Sequence, residues 1–379
     1  MKIILLFARD PGSANVILPV YQKLKIKYHT LLYAKEFAYK IFRNAGLPAK
    51  DICTCRVETD EDILLFLKEM HPDAVITGTS LDDFTERYLW QAANILHIKS
   101  FAILDQWVNL GIRFSNYNYT QENSYWNHKT HPYLPYRILV MDEIAKIQLI
   151  KEGIREEIIV PTGHPHFDTV LNRFKHAKPV YNKEQKNIVF VSEPISQDYD
   201  NCDDTNLYWG YNERTIFHVL YHHLETLAES HSLRFRFIIR PHPRESKDNW
   251  NQILQKEKNS KISLEIDRDH DSFSIMKSAD LICGMSSMFL LESFLCGKAI
   301  LSIEIGLIRK NPFFLDELNY CKSILSEEEL ADHLTRIFLS DNFELSQHTI
   351  KNGLPKIGYP EGVQNATEKI EQLIEEELA

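Results

Sequence analysis

Short apolar runs alternate with segments of helical period along one half of this chain and then again along the other, and nothing else in the sequence constrains the fold as strongly. In the first half the runs are 2–8 (KIILLFA), 29–34, 74–77, 99–104, 136–140 and 157–160. Between them, helical spacing predicts helices at 13–26, 36–45, 60–70, 82–96 and 142–152. The run Ile3-Ile4-Leu5-Leu6-Phe7-Ala8 has no polar alternation, as expected of a strand covered on both faces. Strands of that kind separated by helices predict a parallel, doubly wound sheet.

The pattern stops at 176–187, where Ala177-Lys178-Pro179-Val180-Tyr181-Asn182-Lys183-Glu184-Gln185-Lys186 is polar and lacks period. It restarts with strands at 187–192, 234–240, 262–266, 279–283 and 299–303, and helices at 212–230, 271–278, 287–297, 326–340 and 361–377. The reading is an α/β protein of two Rossmann-like domains, 1–175 and 187–360, facing across a cleft, with a final helical segment at 361–379. Ligands of such sheets bind at the carboxyl ends of the strands. The 379 residues suit two domains, and 44% hydrophobic residues supply two cores.

The charge excludes one class of partner. Lys plus Arg number 43 against 53 Asp plus Glu, a net −10, which disfavours a general nucleic-acid binder. Six scattered cysteines form no disulfide framework, and Cys53-Thr54-Cys55 has no second pair to complete a metal site. The N-terminal apolar run is too short for a signal h-region, and no run approaches the ~20 residues of a membrane span. A cytoplasmic protein is expected, with at most a weak peripheral contact at the inner face of the cell membrane.

Two segments carry most of the chemical information. Arg240-Pro241-His242-Pro243-Arg244-Glu245 follows a strongly apolar strand. Its prolines stiffen the backbone and present His242 beside Arg240 and Arg244, placed to donate to an anionic oxygen; a solvent-facing histidine in a turn is the plainer reading. Ser286-Ser287-Met288-Phe289-Leu290-Leu291-Glu292 also follows a strand and opens a helix that Gly297 closes. Ser286 or Ser287 would cap that helix, and its free first-turn amides form an anion site, with Glu292 in reach of a ribose. An ordinary serine cap and a surface glutamate are the alternative.

Taken together, the HP element and the Ser-Ser-x4-Glu-x4-Gly helix resemble the C-terminal half of GT-B glycosyltransferases. The resemblance is closest to bacterial enzymes of surface-polysaccharide synthesis: the polysialyltransferase and Kdo-transferase groups, which use CMP-sugars, and the glycerophosphotransferases that use CDP-glycerol. It implies that His242, Ser286 and Ser287 hold the donor phosphate, with Arg240 beside them, and that Glu292 contacts the ribose. Ser192-Glu193-Pro194 resembles the donor-facing loop of these enzymes, which adds Glu193 to the nucleotide-binding set. Thr162-Gly163-His164-Pro165-His166-Phe167-Asp168 resembles their Gly-Asn-Pro-x-Phe-Asp segment, with His164 in place of the Asn. The GT-B fold further implies that the last helix crosses back to the N-terminal domain, and Ile370, Leu373 and Ile374 fit one buried stripe.

The N-terminal half offers Asp10-Pro11-Gly12-Ser13-Ala14-Asn15 after its first strand. Gly12 permits a tight turn and close approach of a ligand, with Ser13 and Asn15 beside it. Asp10 stands where a base takes a proton from an acceptor hydroxyl; it also fits a helix cap, and Asp105 is the rival base. Residues 106–133, including Trp107, are rich in aromatic and amide side chains that suit sugars, or that pack on one another as a surface loop. His218, His222 and His223 lack the third ligand and the intervening Glu of a zinc helix, so neither metal nor cofactor is expected. The expectation is a metal-independent glycosyltransferase moving a sugar from a nucleotide donor, CMP favoured and UDP allowed, to a glycan hydroxyl. The alternatives are a CDP-glycerol-type glycerophosphotransferase, a UDP-N-acetylglucosamine 2-epimerase-like enzyme, or a non-catalytic carbohydrate-binding protein.

Overall fold

A computed structural model describes residues 1–55, 59–199, 209–242, 245, 248–257, 259–267, 269–317, 321–339 and 365–379. The chain forms two compact units, the first made of residues 1–169 with the C-terminal helix, the second beginning at Val170.

The first unit is built on seven parallel strands: β1 (Ile3–Ala8), β2 (His29–Ala34), β3 (Lys50–Asp51), β4 (Ala74–Thr77), β5 (Lys99–Ile103), β6 (Arg137–Val140) and β7 (Ile159–Pro161). They lie in the order β3-β2-β1-β4-β5-β6-β7. The helices are α1 (Pro11–Leu24), α2 (Glu36–Asn44), α3 (Asp60–Met70), α4 (Thr85–Ile95), α5 (Glu122–His128), α6 (Glu143–Lys151) and α7 (Pro165–His176). The unbroken apolar run of β1 is explained by its two faces. Ile4, Leu6 and Ala8 pack with α1 and α2 on one side, while Leu5 and Phe7 pack with α3 and α4 on the other.

The second unit has five parallel strands: β8 (Lys186–Val191), β9 (Phe235–Arg240), β10 (Ile262–Ile266), β11 (Leu281–Gly284) and β12 (Ile300–Ser302), in the order β10-β9-β8-β11-β12. Its helices are α8 (Ile195–Tyr199), α9 (Glu213–His231), α10 (Asp248–Lys256), α11 (Ser272–Ser278), α12 (Met288–Leu295), α13 (Phe314–Glu317) and α14 (Glu327–Leu339). Phe190, Phe217, Phe237 and Trp250 form the aromatic centre of its core. Asn212 starts α9 by accepting from the backbone of Arg214 and Thr215, a capping box with Thr215.

The last helix, α15 (Ala366–Leu378), returns to the first unit. Ile370 and Ile374 enter the core beside α1, Lys27 pairs with Glu371 and Glu375, and Glu377 bonds to Lys99, Tyr136 and Arg137. Asp168 accepts from the backbone N–H and hydroxyl of Thr367 at 3.0 and 3.1 Å, tying the start of α15 to α7.

Three local differences from the sequence reading have physical causes. Helix α1 begins at Pro11, two residues early, because a proline at the first helical position lacks only an N–H that has no partner there anyway. The two-residue strand β3 is too short to leave a pattern. The segment 106–133 is not a bare loop: it holds 3-10 turns at Gly111–Phe114 and Tyr119–Gln121, then α5. Glu152 at the end of α6 staples it by accepting from Gly111 N at 2.9 Å and Tyr125 Oη at 2.6 Å.

In each sheet the strand order reverses once, between β1 and β4 and between β8 and β11. The loops leaving the carboxyl ends of these four strands are therefore where a ligand finds an opening.

Candidate functional site

In the first unit, Arg9 to Ser13 leave β1 opposite Gly78 to Ser80 leaving β4. The two loops touch without room to spare: a Cβ on Gly78 would lie 1.6 Å from Ser13 Oγ, and one on Gly12 would lie 1.8 Å from Asp105 Oδ2. Gly12 is thus the floor on which the Asp105 carboxylate rests. Ser13 is fully buried, and its hydroxyl has no hydrogen-bond partner. Asn15 is partly exposed on the first turn of α1.

Asp10 occupies the N-cap position of α1, but its carboxylate does not cap the helix. It pairs instead with Arg9 Nη1 at 2.8 Å, and the same guanidinium reaches Glu36 at 2.7 Å and Asp82 at 3.6 Å. The capping role open to Asp10 in the sequence is not the one it takes.

Asp105 is held from two sides. Arg113 Nη1 stands 3.3 Å from Oδ1 and also donates to Thr79 Oγ1 at 2.7 Å. Arg87, itself buried, fixes the turn that carries Arg113 by donating to the carbonyls of Arg113 and Ile112 at 2.9 and 3.2 Å. His164 Nε2 donates to the Asp105 carbonyl at 2.9 Å. Burial raises the Asp105 carboxyl above its ordinary range, Arg113 pulls it back, and the charge of Asp10 pushes it up again. A carboxylate moved toward neutrality at a strand tip suits a general base.

Trp107 and His164, expected to meet an acceptor, are both buried. The Trp107 indole donates to Asp142 at 2.8 Å, and the His164 ring stacks on Phe167 with centroids 4.0 Å apart. Burial lowers His164 to about 3, so the ring is neutral and its Nε2 carries the hydrogen. Both side chains form the wall behind Asp105. Glu86, which carries no motif, is fully buried near this cluster with neither oxygen hydrogen-bonded, and burial with Asp83 and Asp10 raises it to about 8.

In the second unit, Ser287 is the N-cap of α12: its hydroxyl accepts from Phe289 N at 3.2 Å. Gly297 ends the helix with φ +71°, a conformation that favours glycine. Glu292 lies partly exposed one turn along α12. The Ser286 donors are already engaged. Glu193, from the loop after β8, accepts from Ser286 N at 2.8 Å and from Ser286 Oγ at 3.2 Å. Burial raises Glu193 to about 7 against these hydrogen bonds, with Glu245 adding to the rise.

His242 reaches the same neighbourhood through its backbone. Its N–H donates to Glu245 Oε2 at 2.5 Å, and Glu245 Oε1 accepts from Ser192 Oγ at 2.8 Å and Trp250 Nε1 at 3.0 Å. The loops after β8, β9 and β11 are thus joined by Glu193 and Glu245. Pro243 and Arg244 lie outside the described residues. Arg240, expected at the phosphate, has other partners in this structure. It ends β9 on the side toward β10, and its guanidinium is taken by Asp267 at 3.1 Å, the His270 carbonyl at 3.0 Å and Ser272 at 3.3 Å. On α9, His218 lies against Glu257 and His223 against Glu327, so these histidines address different neighbours.

The two doubly wound parallel sheets have the GT-B fold. No protein-family model and no curated protein matches the chain. Solved structures do. The UDP-GlcNAc 2-epimerase of Neisseria meningitidis, bound to UDP-GlcNAc, is similar over 99% of this chain and 100% of its own, with 15% identity and a TM-score of 0.65. A putative UDP-N-acetylglucosamine 2-epimerase from Listeria monocytogenes is similar over 99% of this chain and 96% of its own, at 14% identity and TM-score 0.67. MurG of Acinetobacter baumannii is similar over 99% of this chain and 100% of its own, at 13% identity and TM-score 0.57. Among the described residues no helix is long and apolar enough to cross a membrane.

Proposed function

We propose that the protein is an enzyme acting on a nucleotide-activated sugar, and that it transfers the sugar to a hydroxyl of a glycan acceptor. The observation that carries this reading is the Ser286–Ser287 helix start at the strand-order reversal of the second sheet, within a GT-B fold. A phosphate there meets a hydroxyl, backbone donors and the positive end of α12. As the sugar–phosphate bond breaks, negative charge builds on the leaving phosphate, and fixed donors stabilise that charge more than the ground state. His242 and Glu292 complete the nucleotide side in this reading. In the first unit Asp105 takes the proton from the acceptor hydroxyl, with Arg113 and His164 holding it in place; Asp10, paired with Arg9, is the alternative base.

A UDP-sugar is the donor we favour. The CMP preference has no support from the structures compared above, and similar structures with a bound nucleotide include ones that hold UDP or UDP-GlcNAc. The same neighbours favour a second reading, 2-epimerisation of a UDP-sugar without an acceptor.

Incubation with UDP-N-acetylglucosamine, with and without glycan acceptors, followed by product analysis separates the two. UDP release that depends on acceptor, and that falls by roughly 10²- to 10⁴-fold in Asp105→Asn, supports transfer. Epimer formed from the UDP-sugar alone supports the second reading. No turnover of any UDP- or CMP-sugar overturns both.

A further inference from the structure

The start of α12 already holds an anion of the protein's own. Glu193 places one carboxylate oxygen on the Ser286 amide and the other on the Ser286 hydroxyl, at 2.8 and 3.2 Å, the two donors that an incoming phosphate needs. The contact is built in. Ser192, the preceding residue, is fixed by its hydroxyl to Glu245, and Ser196, three residues on, donates its backbone N–H to Glu213 at 2.9 Å. These bonds fix the backbone on both sides of Glu193.

The surroundings are acidic. Glu193 senses Glu245 from the loop after β9, and Glu304 from beyond β12 senses Glu193 in turn; Tyr211, ahead of α9, lies in the field of both Glu193 and Glu304. The Tyr211 hydroxyl and Glu304 Oε2 are buried and have no hydrogen-bond partner. Buried polar atoms without partners beside a helix start are a sign of a ligand that supplies them.

We propose that Glu193 fills the phosphate position while the donor is absent, and that when donor binds Glu193 takes up a proton and donates it in a hydrogen bond to a phosphate oxygen sharing the α12 start. The inference rests on the nucleotide-sugar reading. A carboxylate and a phosphate on the same two donors repel, and protonating the carboxylate turns that repulsion into a charge-assisted bond. One proton comes from solvent for each donor bound to ionised Glu193, and it returns when the phosphate leaves. No covalent bond changes.

Burial holds Glu193 at about 7, so its protonated form is accessible near neutral pH. The sign follows. Below that point Glu193 is already protonated and affinity is flat; above it each binding event must take up a proton, and affinity falls by roughly tenfold per pH unit.

Calorimetry with two probes tests this: sulfate and UDP-N-acetylglucosamine, whose charges stay constant from about pH 6 to about pH 8. For the wild type, both should weaken above neutrality, with a buffer-dependent enthalpy that reports uptake approaching about one proton. Glu193→Gln keeps an oxygen for Ser286 and an N–H for phosphate, and it should lose both the uptake and the slope while binding more tightly than wild type at high pH. Wild-type affinity that is equal at both ends of the range, a slope that persists in Glu193→Gln, or sulfate binding to neither protein overturns the inference. UDP-N-acetylglucosamine binding without a slope overturns it and leaves the nucleotide-sugar reading standing. Sulfate with the slope, and no nucleotide sugar bound, upholds the Glu193 role and removes that reading. His242 is the other group on the nucleotide side that can take up a proton, so His242→Asn is the control if Glu193→Gln fails to fold: uptake that persists in it upholds the role of Glu193, and uptake lost with it overturns the inference.

Discussion

Gly12 and Asp105 show how one absent side chain shapes a site. A Cβ at position 12 would fall 1.8 Å from Asp105 Oδ2, so Gly12→Ala must push the carboxylate aside, while the backbone around it stays where it is. The expected result is a fold retained by circular dichroism and a turnover reduced by roughly 10²-fold, the order that an ångström of misplacement costs. Wild-type kcat/KM in a folded Gly12→Ala would remove Asp105 from the chemistry. Gly12 and Asp105 were both readable as candidates because each follows a recognisable strand; their contact was not, since it joins positions far apart in sequence. Arg113, Arg87 and Glu86 left no trace in the pattern because a buried charged side chain looks like any polar residue until its neighbours are known. Arg240 sits at the strand end that the sequence marks, but its pairing with Asp267 was not legible: a residue's strand shows in sequence, and the neighbour its side chain turns toward does not.

At the scale of elements, strands were the most legible. Those buried on both faces announce themselves as unbroken apolar runs, and β1, β2, β4 and β10 fall where the runs lie or within a residue. Helix ends moved by a few residues where caps decided them, as with Pro11 in α1 and Ser287 in α12. The segment 106–133 resisted reading because its order comes from Glu152, a single acceptor outside it that gathers Gly111 and Tyr125. Helix α15 adds an apolar stripe to the core of the first unit through Ile370 and Ile374, both fully buried. Ile370→Ala should therefore lower stability by about 2–5 kcal/mol through lost burial and the cavity left behind. Chemical denaturation checks it; a loss under about 1 kcal/mol would mean that α15 contributes little to that core.

The whole molecule combines two sheets of seven and five parallel strands, each reversing its strand order once. Two parallel, doubly wound sheets were legible from alternation alone, because only strand–helix repetition buries runs of this kind on both sides; the seventh strand, β3, and the strand orders were not. The donor was not legible: motifs around His242 and Ser286 mark a phosphate, and a phosphate is common to every nucleotide. Solved structures at 13–15% identity share the fold along nearly the whole chain, which leaves the chemistry to the side chains described above. The start of α12 therefore decides between a nucleotide site and none. Isothermal titration of UDP into the wild type and into Ser286→Ala/Ser287→Ala tests it directly. The wild type should bind UDP, and the double variant should lose about tenfold or more in affinity, the worth of a hydrogen bond to a charged group. UDP binding of equal strength to both proteins would contradict a nucleotide site at the start of α12.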